Sequence, residues 1–215
     1  MKLKSLRPSY LIPRLRQIAF SRRFPDAPWL VESAVFLLES WLKPTDVGLE
    51  WGSGRSTVWL ARRMKRLITI EADRTWYEEI RKRLREADLL ARTDYRHIPC
   101  ELEEIDEPAS HPYADVAAEF PDGSFDFCLV DGHIRATCFR SVLRKIKPGG
   151  LLALDNANRY LPNRVMGQFA TAHQPLDKPS SPLWGQLLQE ISAWRAIHTT
   201  DKIWDTRFWV RPCGD

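Results

Sequence analysis

At 215 residues the chain is long enough for one sizeable α/β domain and too short for two comfortable ones. Hydrophobic residues at 44% beside charged residues at 28% argue against a disordered or fibrous chain, and no apolar run is long enough for a membrane-spanning helix. The net charge of +4 is unevenly placed: residues 1–23 carry Lys2, Lys4, Arg7, Arg14, Arg16, Arg22 and Arg23 with no acid, which leaves the rest at −3.

Residues 1–27 therefore read as a basic arm and 28–215 as a single domain. The arm reads as a solvated leader, with weak contact to an anionic surface as its competing role and no specific nucleic acid expected. "YLIP" is too short for a secretion-signal core. The cysteines, Cys100, Cys128, Cys138 and Cys213, form no C-x-x-C pair, so a reduced, cytoplasmic chain without structural zinc is expected.

Residues 28–42 have helical spacing, with Leu30, Ala34, Leu37, Leu38 and Trp41 on one face. A short buried strand follows at 46–50, then the turn Gly52-Ser53-Gly54 and a helix capped by Ser56 and running to Arg63. Residues 67–71 form the second strand. Residues 74–87 form an amphipathic helix with Trp76, Ile80 and Leu84 inward. Residues 94–98 make a weaker third strand. The acidic, proline-bearing stretch 99–122 holds a short helix at Tyr113–Phe120. A buried strand at 125–131, a helix at 137–146 ended by Lys147-Pro148-Gly149-Gly150, and a strand at 151–155 complete the alternation. After a Pro/Asn-rich loop at 156–182 come a helix at 183–194 and two strands joined at Asp201-Lys202, close enough to pair antiparallel. The expected fold is a doubly wound α/β domain: a mostly parallel seven-stranded sheet closed by a C-terminal antiparallel hairpin.

Ligands of such sheets sit at the carboxyl ends of the strands. Glu71 ends the second strand, where a carboxylate can accept both hydroxyls of a ribose. A dinucleotide fingerprint would place a third glycine at Thr57, and an acid at Glu50 would repel a pyrophosphate but suits an ammonium group.

Glu50-x-Gly52-x-Gly54, Glu71, "FDFCLVDG" and "IKPGGLLALDN" resemble, in order, the motifs of class I S-adenosylmethionine-dependent methyltransferases. The resemblance implies S-adenosylmethionine as cofactor. Glu50, Trp51, Gly52, Ser53, Gly54 and Ser56 would flank its methionine part, Glu71 and Ala72 its ribose, Cys100-Glu101-Leu102 its adenine, and Asp131 would also lie on the cofactor.

Asp131, Asp155 and Asn156 end neighbouring strands as hard oxygen ligands and resemble the Mg²⁺ triad of catechol-type O-methyltransferases. Those enzymes keep a lysine three positions after the first aspartate, and Ile134 stands there. A metal site and a metal-free site both stay open. In the second, Asp131, His133 and Arg135 are the catalytic candidates, His133 as proton acceptor and Arg135 as binder of an anionic group. No Asn/Asp-Pro-Pro-Tyr stretch occurs, which argues against N-methylation of nucleic acid. A small-molecule or glycan-type oxygen acceptor is expected. A nicotinamide-dependent oxidoreductase and a non-catalytic module on the same fold are the competing readings.

Overall fold

The computed structural model describes residues 8–103, 105–163 and 176–214. Helix α1 spans Pro8–Arg23 and α2 Glu32–Trp41. The alternating part then runs β1 (Val47–Trp51), α3 (Arg55–Arg63), β2 (Arg66–Glu71), α4 (Arg74–Glu86), β3 (Thr93–His97), α5 (Pro112–Asp115), β4 (Phe125–Val130), α6 (Arg135–Val142) and β5 (Ile146–Leu154). Helix α7 (Pro182–Glu190) leads to β6 (Arg195–Thr200) and β7 (Asp205–Val210).

The seven strands lie in the order β3-β2-β1-β4-β5-β7-β6. The first five are parallel, and β7 is antiparallel to both β5 and β6. The hairpin therefore folds back, and its second strand inserts beside β5. The strand order reverses between β1 and β4, which opens a crevice at their carboxyl ends.

Strand alternation sorts β1 between two cores. Leu49 and Trp51 join the layer holding Phe139 of α6 and Trp184 of α7. On the other face Leu38 of α2, Leu60 of α3 and Ile80 of α4 pack over Leu67, Phe127 and Leu129. Each wholly buried leucine of these layers contributes about 1.5–3 kcal/mol.

The backbone ladder continues one residue past several strands. Gly52 donates to the Ile70 carbonyl (3.0 Å), Asp131 to Trp51 (2.9 Å), Asp155 to Val130 (3.2 Å) and Ile98 to Glu71 (2.9 Å).

Several local expectations are corrected. Residues 8–23, read as part of a solvated leader, are helical; Lys2, Lys4 and Arg7 of that leader lie outside the described residues. Helix α3 begins at Arg55, so Ser56 is its second residue rather than its cap, and the cap position falls to Gly54. The segment Lys147–Gly150, read as a helix stop, opens strand β5. Gly149 takes φ +76 there and its N–H bonds to the Arg211 carbonyl at 2.8 Å, so the glycine serves an irregular strand start. Of the loop expected at 156–182, Ala157–Arg159 form a single 3-10 turn, and residues 164–175 lie outside the described residues.

Candidate active site

A cleft of about 210 Å³ opens at the strand-order reversal, lined by Gly52, Ser53, Glu71, Trp76, Tyr113, Asp131, Gly132 and His133. Its floor is the glycine turn. Gly52 takes φ +85, and a Cβ there would lie 2.5 Å from the Asp131 carbonyl oxygen. This glycine thus makes room for the neighbouring protein loop, not for a ligand. Gly54 differs: a Cβ there would meet nothing nearer than Ser56 Oγ at 3.9 Å, so the space above it is open to a ligand.

Two acids hold the turn. Glu50 points from β1 towards α3 and is wholly buried. Its Oε2 accepts from the hydroxyls of Thr57 and Thr69, both at 2.7 Å, and Thr57 Oγ1 accepts the Gly54 N–H at 2.9 Å. Thr57 thus braces the turn from the position where a dinucleotide site would have glycine. Burial pushes the Glu50 carboxyl up to about 7, and its Oε1 has no hydrogen-bond partner in the protein.

Glu71 is nearly buried at the end of β2. One oxygen accepts from the Ser53 N–H (3.0 Å) and hydroxyl (2.5 Å), the other from the N–H groups of Ala72 (2.8 Å) and Asp73 (2.9 Å). An acid ringed by donors at the cleft wall is also a hydroxyl acceptor. Glutamine would turn an NH₂ towards backbone N–H groups, so it is not a mild replacement here.

The wall opposite carries His133. Its Nδ1 lies 2.8 Å from the Leu102 carbonyl. A carbonyl only accepts, so Nδ1 carries a proton, and in the neutral ring Nε2 is the nitrogen left to accept one. The ring meets Tyr113 edge-on at 6.1 Å.

The metal and Arg135 expectations are revised together. Arg135 is 4% exposed. Its Nε donates to the Gly132 carbonyl (3.0 Å), Nη1 to the Asp155 carbonyl (2.7 Å) and Asn156 Oδ1 (3.2 Å), and Nη2 to the Asp131 carbonyl (3.3 Å) and Asp131 Oδ1 (3.0 Å). A guanidinium has five N–H donors, and these are five acceptors. Arg135 therefore latches the β4 and β5 loops together and is not free to bind an anionic acceptor. The donor set does not suit a divalent ion. A cation already sits on Asp131 and Asn156, while the buried Asp155 carboxyl accepts from Thr206 Oγ1 (2.6 Å) and Asn156 Nδ2 (2.8 Å). Burial and the neighbouring Asp131 charge push Asp155 up to about 8. Among the described residues, no group of three or more His, Cys, Asp or Glu is placed to hold a metal.

Other expected residues fall around the cleft rather than in it. Trp51 lies in the core with its Nε1 on the Tyr113 carbonyl at 2.7 Å; strand alternation turns it away from Glu50. Ser56 is buried in the first turn of α3, and Ala72 follows Glu71. Cys100, Glu101 and Leu102 form the segment behind His133, where Cys100 is buried and Glu101 exposed.

Sequence reasoning missed Trp76 and Tyr113 as lining residues. Trp76 Nε1 holds the Ser53 carbonyl at 2.7 Å, and its ring stacks on the exposed Trp29 at 6.3 Å, with Arg55 over Trp29 at 5.1 Å. The helical period gave Trp76 an inward face but not the loop it reaches. A further pair went unread: His198 Nε2 lies 3.1 Å from Asp205 Oδ2, which also accepts from Asn163. The hairpin pairing brings the two together, and their separation in sequence gives no signal of it.

Residues 49–157, just over half the chain, match the profile of a family described as a methyltransferase domain. The chain belongs to that methyltransferase family. It is an S-adenosylmethionine-dependent methyltransferase, and the glycine turn, Glu71 and the motifs after β4 and β5 all fall within the matched stretch. No curated protein sequence matches it. Among solved structures it is similar to an O-methyltransferase from Bacillus cereus in complex with S-adenosylhomocysteine (18% identity, 95% of this chain and 91% of that one, TM-score 0.58). It is also similar to a methyltransferase from Geobacter sulfurreducens (15%, 98% and 94%, TM-score 0.56). An rRNA methylase from Streptococcus thermophilus shares the fold as well (8%, 86% and 98%, TM-score 0.56). At these identities the likeness concerns the fold, and fold does not choose the acceptor.

Proposed function

We propose that this methyltransferase acts on an oxygen of a small-molecule or glycan-type acceptor, with His133 as general base and no divalent ion. The observation that carries the reading is the His133–Leu102 bond on the cleft wall: Nδ1 is taken up by the carbonyl, so Nε2 is the nitrogen left to accept a proton when the ring is neutral.

S-adenosylmethionine supplies an electrophilic methyl group on a sulfonium. In the proposal the Glu50–Gly54 turn cradles its methionine part, Glu71 accepts its ribose hydroxyls beside Ala72, and the Cys100–Leu102 segment borders its adenine. An acceptor hydroxyl beside Asp131 and His133 gives its proton to Nε2 as its oxygen takes the methyl group. Positioning supplies the remaining rate enhancement. The acceptor is read as an oxygen because the chain lacks the Asn/Asp-Pro-Pro-Tyr stretch of amino-group methylases.

The test is turnover to S-adenosylhomocysteine with phenolic and sugar acceptors, with and without EDTA. His133→Ala should cost on the order of 10²-fold in kcat with cofactor affinity unchanged, and EDTA should leave the rate alone. A rate abolished by EDTA and restored by Mg²⁺, with His133→Ala fully active, would replace this reading by a metal-assisted one.

A further inference from the structure

The solvent-facing side of α1 carries exposed apolar residues between exposed arginines. Leu11 is 40% exposed, Ile12 55%, Leu15 64% and Ile18 38%, whereas Pro13 is buried and Phe20 turns inward. At about 100° per residue, Leu11, Leu15 and Ile18 fall within an arc of about 60°, and Ile12 stands about 60° beyond its edge. Arg14 flanks this ridge on one side, Arg16 and Arg23 flank it on the other, and Arg22 continues it at the helix end; all four are exposed. Phe24 and Phe36, also exposed, pack against the Phe20 ring at 5.1 and 6.1 Å, on the other side of the helix from the ridge. The chain has no acid before Asp26.

We propose that α1 is a membrane-surface helix: its outward ridge enters the interface of an anionic bilayer while the flanking arginines meet the lipid phosphates. An apolar face rimmed by cations is the arrangement that inserts at the boundary between headgroups and acyl chains. The charge selects this occupant over a second copy of the chain, because a ridge-to-ridge dimer would set like cations against each other with no acid on either helix. It also selects it over nucleic acid, since a phosphate backbone would gain nothing from Leu15 and Ile18. No helix among the described residues is long and apolar enough to cross a membrane, so the contact is peripheral.

The proposal is independent of the acceptor and is tested without one. The full chain should co-sediment with vesicles of phosphatidylcholine containing phosphatidylglycerol and stay in the supernatant with phosphatidylcholine alone. Added salt should weaken the binding. Leu15→Ser with Ile18→Ser should abolish it while melting temperature and S-adenosylmethionine affinity stay at wild-type values. Arg14→Gln with Arg16→Gln should lower the partition coefficient about 30-fold, and this pair decides the question if the serine variant fails to fold. Equal sedimentation with both vesicle types would overturn the proposal. So would wild-type binding by either variant pair. A dimer in sedimentation velocity that the serine pair dissociates, without vesicle binding by the wild type, would assign the ridge to self-association instead.

Discussion

The same edge of the sheet treats its carboxylates in two ways. At the ends of β1 and β2, Glu50 and Glu71 are held by neutral donors: threonine and serine hydroxyls and backbone N–H groups. At the end of β4 the Asp131 carboxylate pairs with a buried guanidinium, Arg135, that also binds the backbone of the β4 and β5 loops, while the Asp155 carboxyl is held by Thr206 and Asn156. Neutral donors add no compensating charge beside Glu71, which borders the cleft, while Glu50 is wholly buried and its carboxyl is raised. The arginine cancels the charge and fixes the loops. Both halves line the cleft, but only the β4 and β5 half is tied together by a buried cation.

The largest break in this comparison is Arg135→Met. It should cost about 3–5 kcal/mol of folding stability in urea titration, since it strands Asp131 and leaves several loop acceptors unpaired. A loss below 1 kcal/mol would mean that the latch is ornamental.

Glu50 sharpens the other half. Its carboxyl is raised by burial, so the folded chain keeps a proton that the unfolded chain gives up first. Its contribution to stability is full below pH 4.5 and falls as pH rises to about 7, by roughly 3 kcal/mol in all. Asp155, raised to about 8, adds in the same direction over an overlapping range. Glu50→Gln should flatten part of that slope in the apo protein and leave it more stable than wild type at pH 7.5. An unchanged pH profile would show Glu50 to be ordinary in the folded state.

Glu71→Ala should weaken S-adenosylmethionine binding by about 1.5–3 kcal/mol in calorimetry, the scale of hydrogen bonds to a charged acceptor. It also releases Ser53, so association should slow. Wild-type affinity would move the ribose site away from β2.

The smallest effect on folding belongs to Gly54→Ala, expected within about 0.5 kcal/mol because the added methyl group meets open space. The same variant should lose cofactor affinity. A variant that keeps its affinity would show that no ligand lies over Gly54.

The alternation of strands and helices was legible because apolar runs such as "FDFCLV" and "LLAL" are too short for helices and are bounded by turn residues. The closing hairpin was legible from the short turn at Asp201-Lys202, which in the structure spans Asp201 to Trp204. What local pattern could not show is that β7 lies next to β5, because strand order depends on contacts distant in sequence. The site divides the same way. Gly52, Ser53, Glu71, Asp131 and His133 line the cleft because ligand sites of such sheets follow strand ends, which the sequence marks. Arg135 was misread because two of its acceptors come from the β5 loop, which begins 20 residues further along the chain. The outward ridge of α1 was missed because the charge count of the arm hid the spacing of Leu11, Leu15 and Ile18.

The ladder bonds that run past the strands have a kinetic consequence. Gly52, Asp131 and Asp155 are last rungs of the sheet, so the floor of the cleft has no hinge of its own. Their amide hydrogens should exchange with solvent as slowly as those of the central strands, before any ligand arrives. A floor already set requires little ordering when a ligand lands on it. Whatever gating the site has then falls to its side chains: the Trp76 indole over Ser53, and the imidazole of His133 across the cleft.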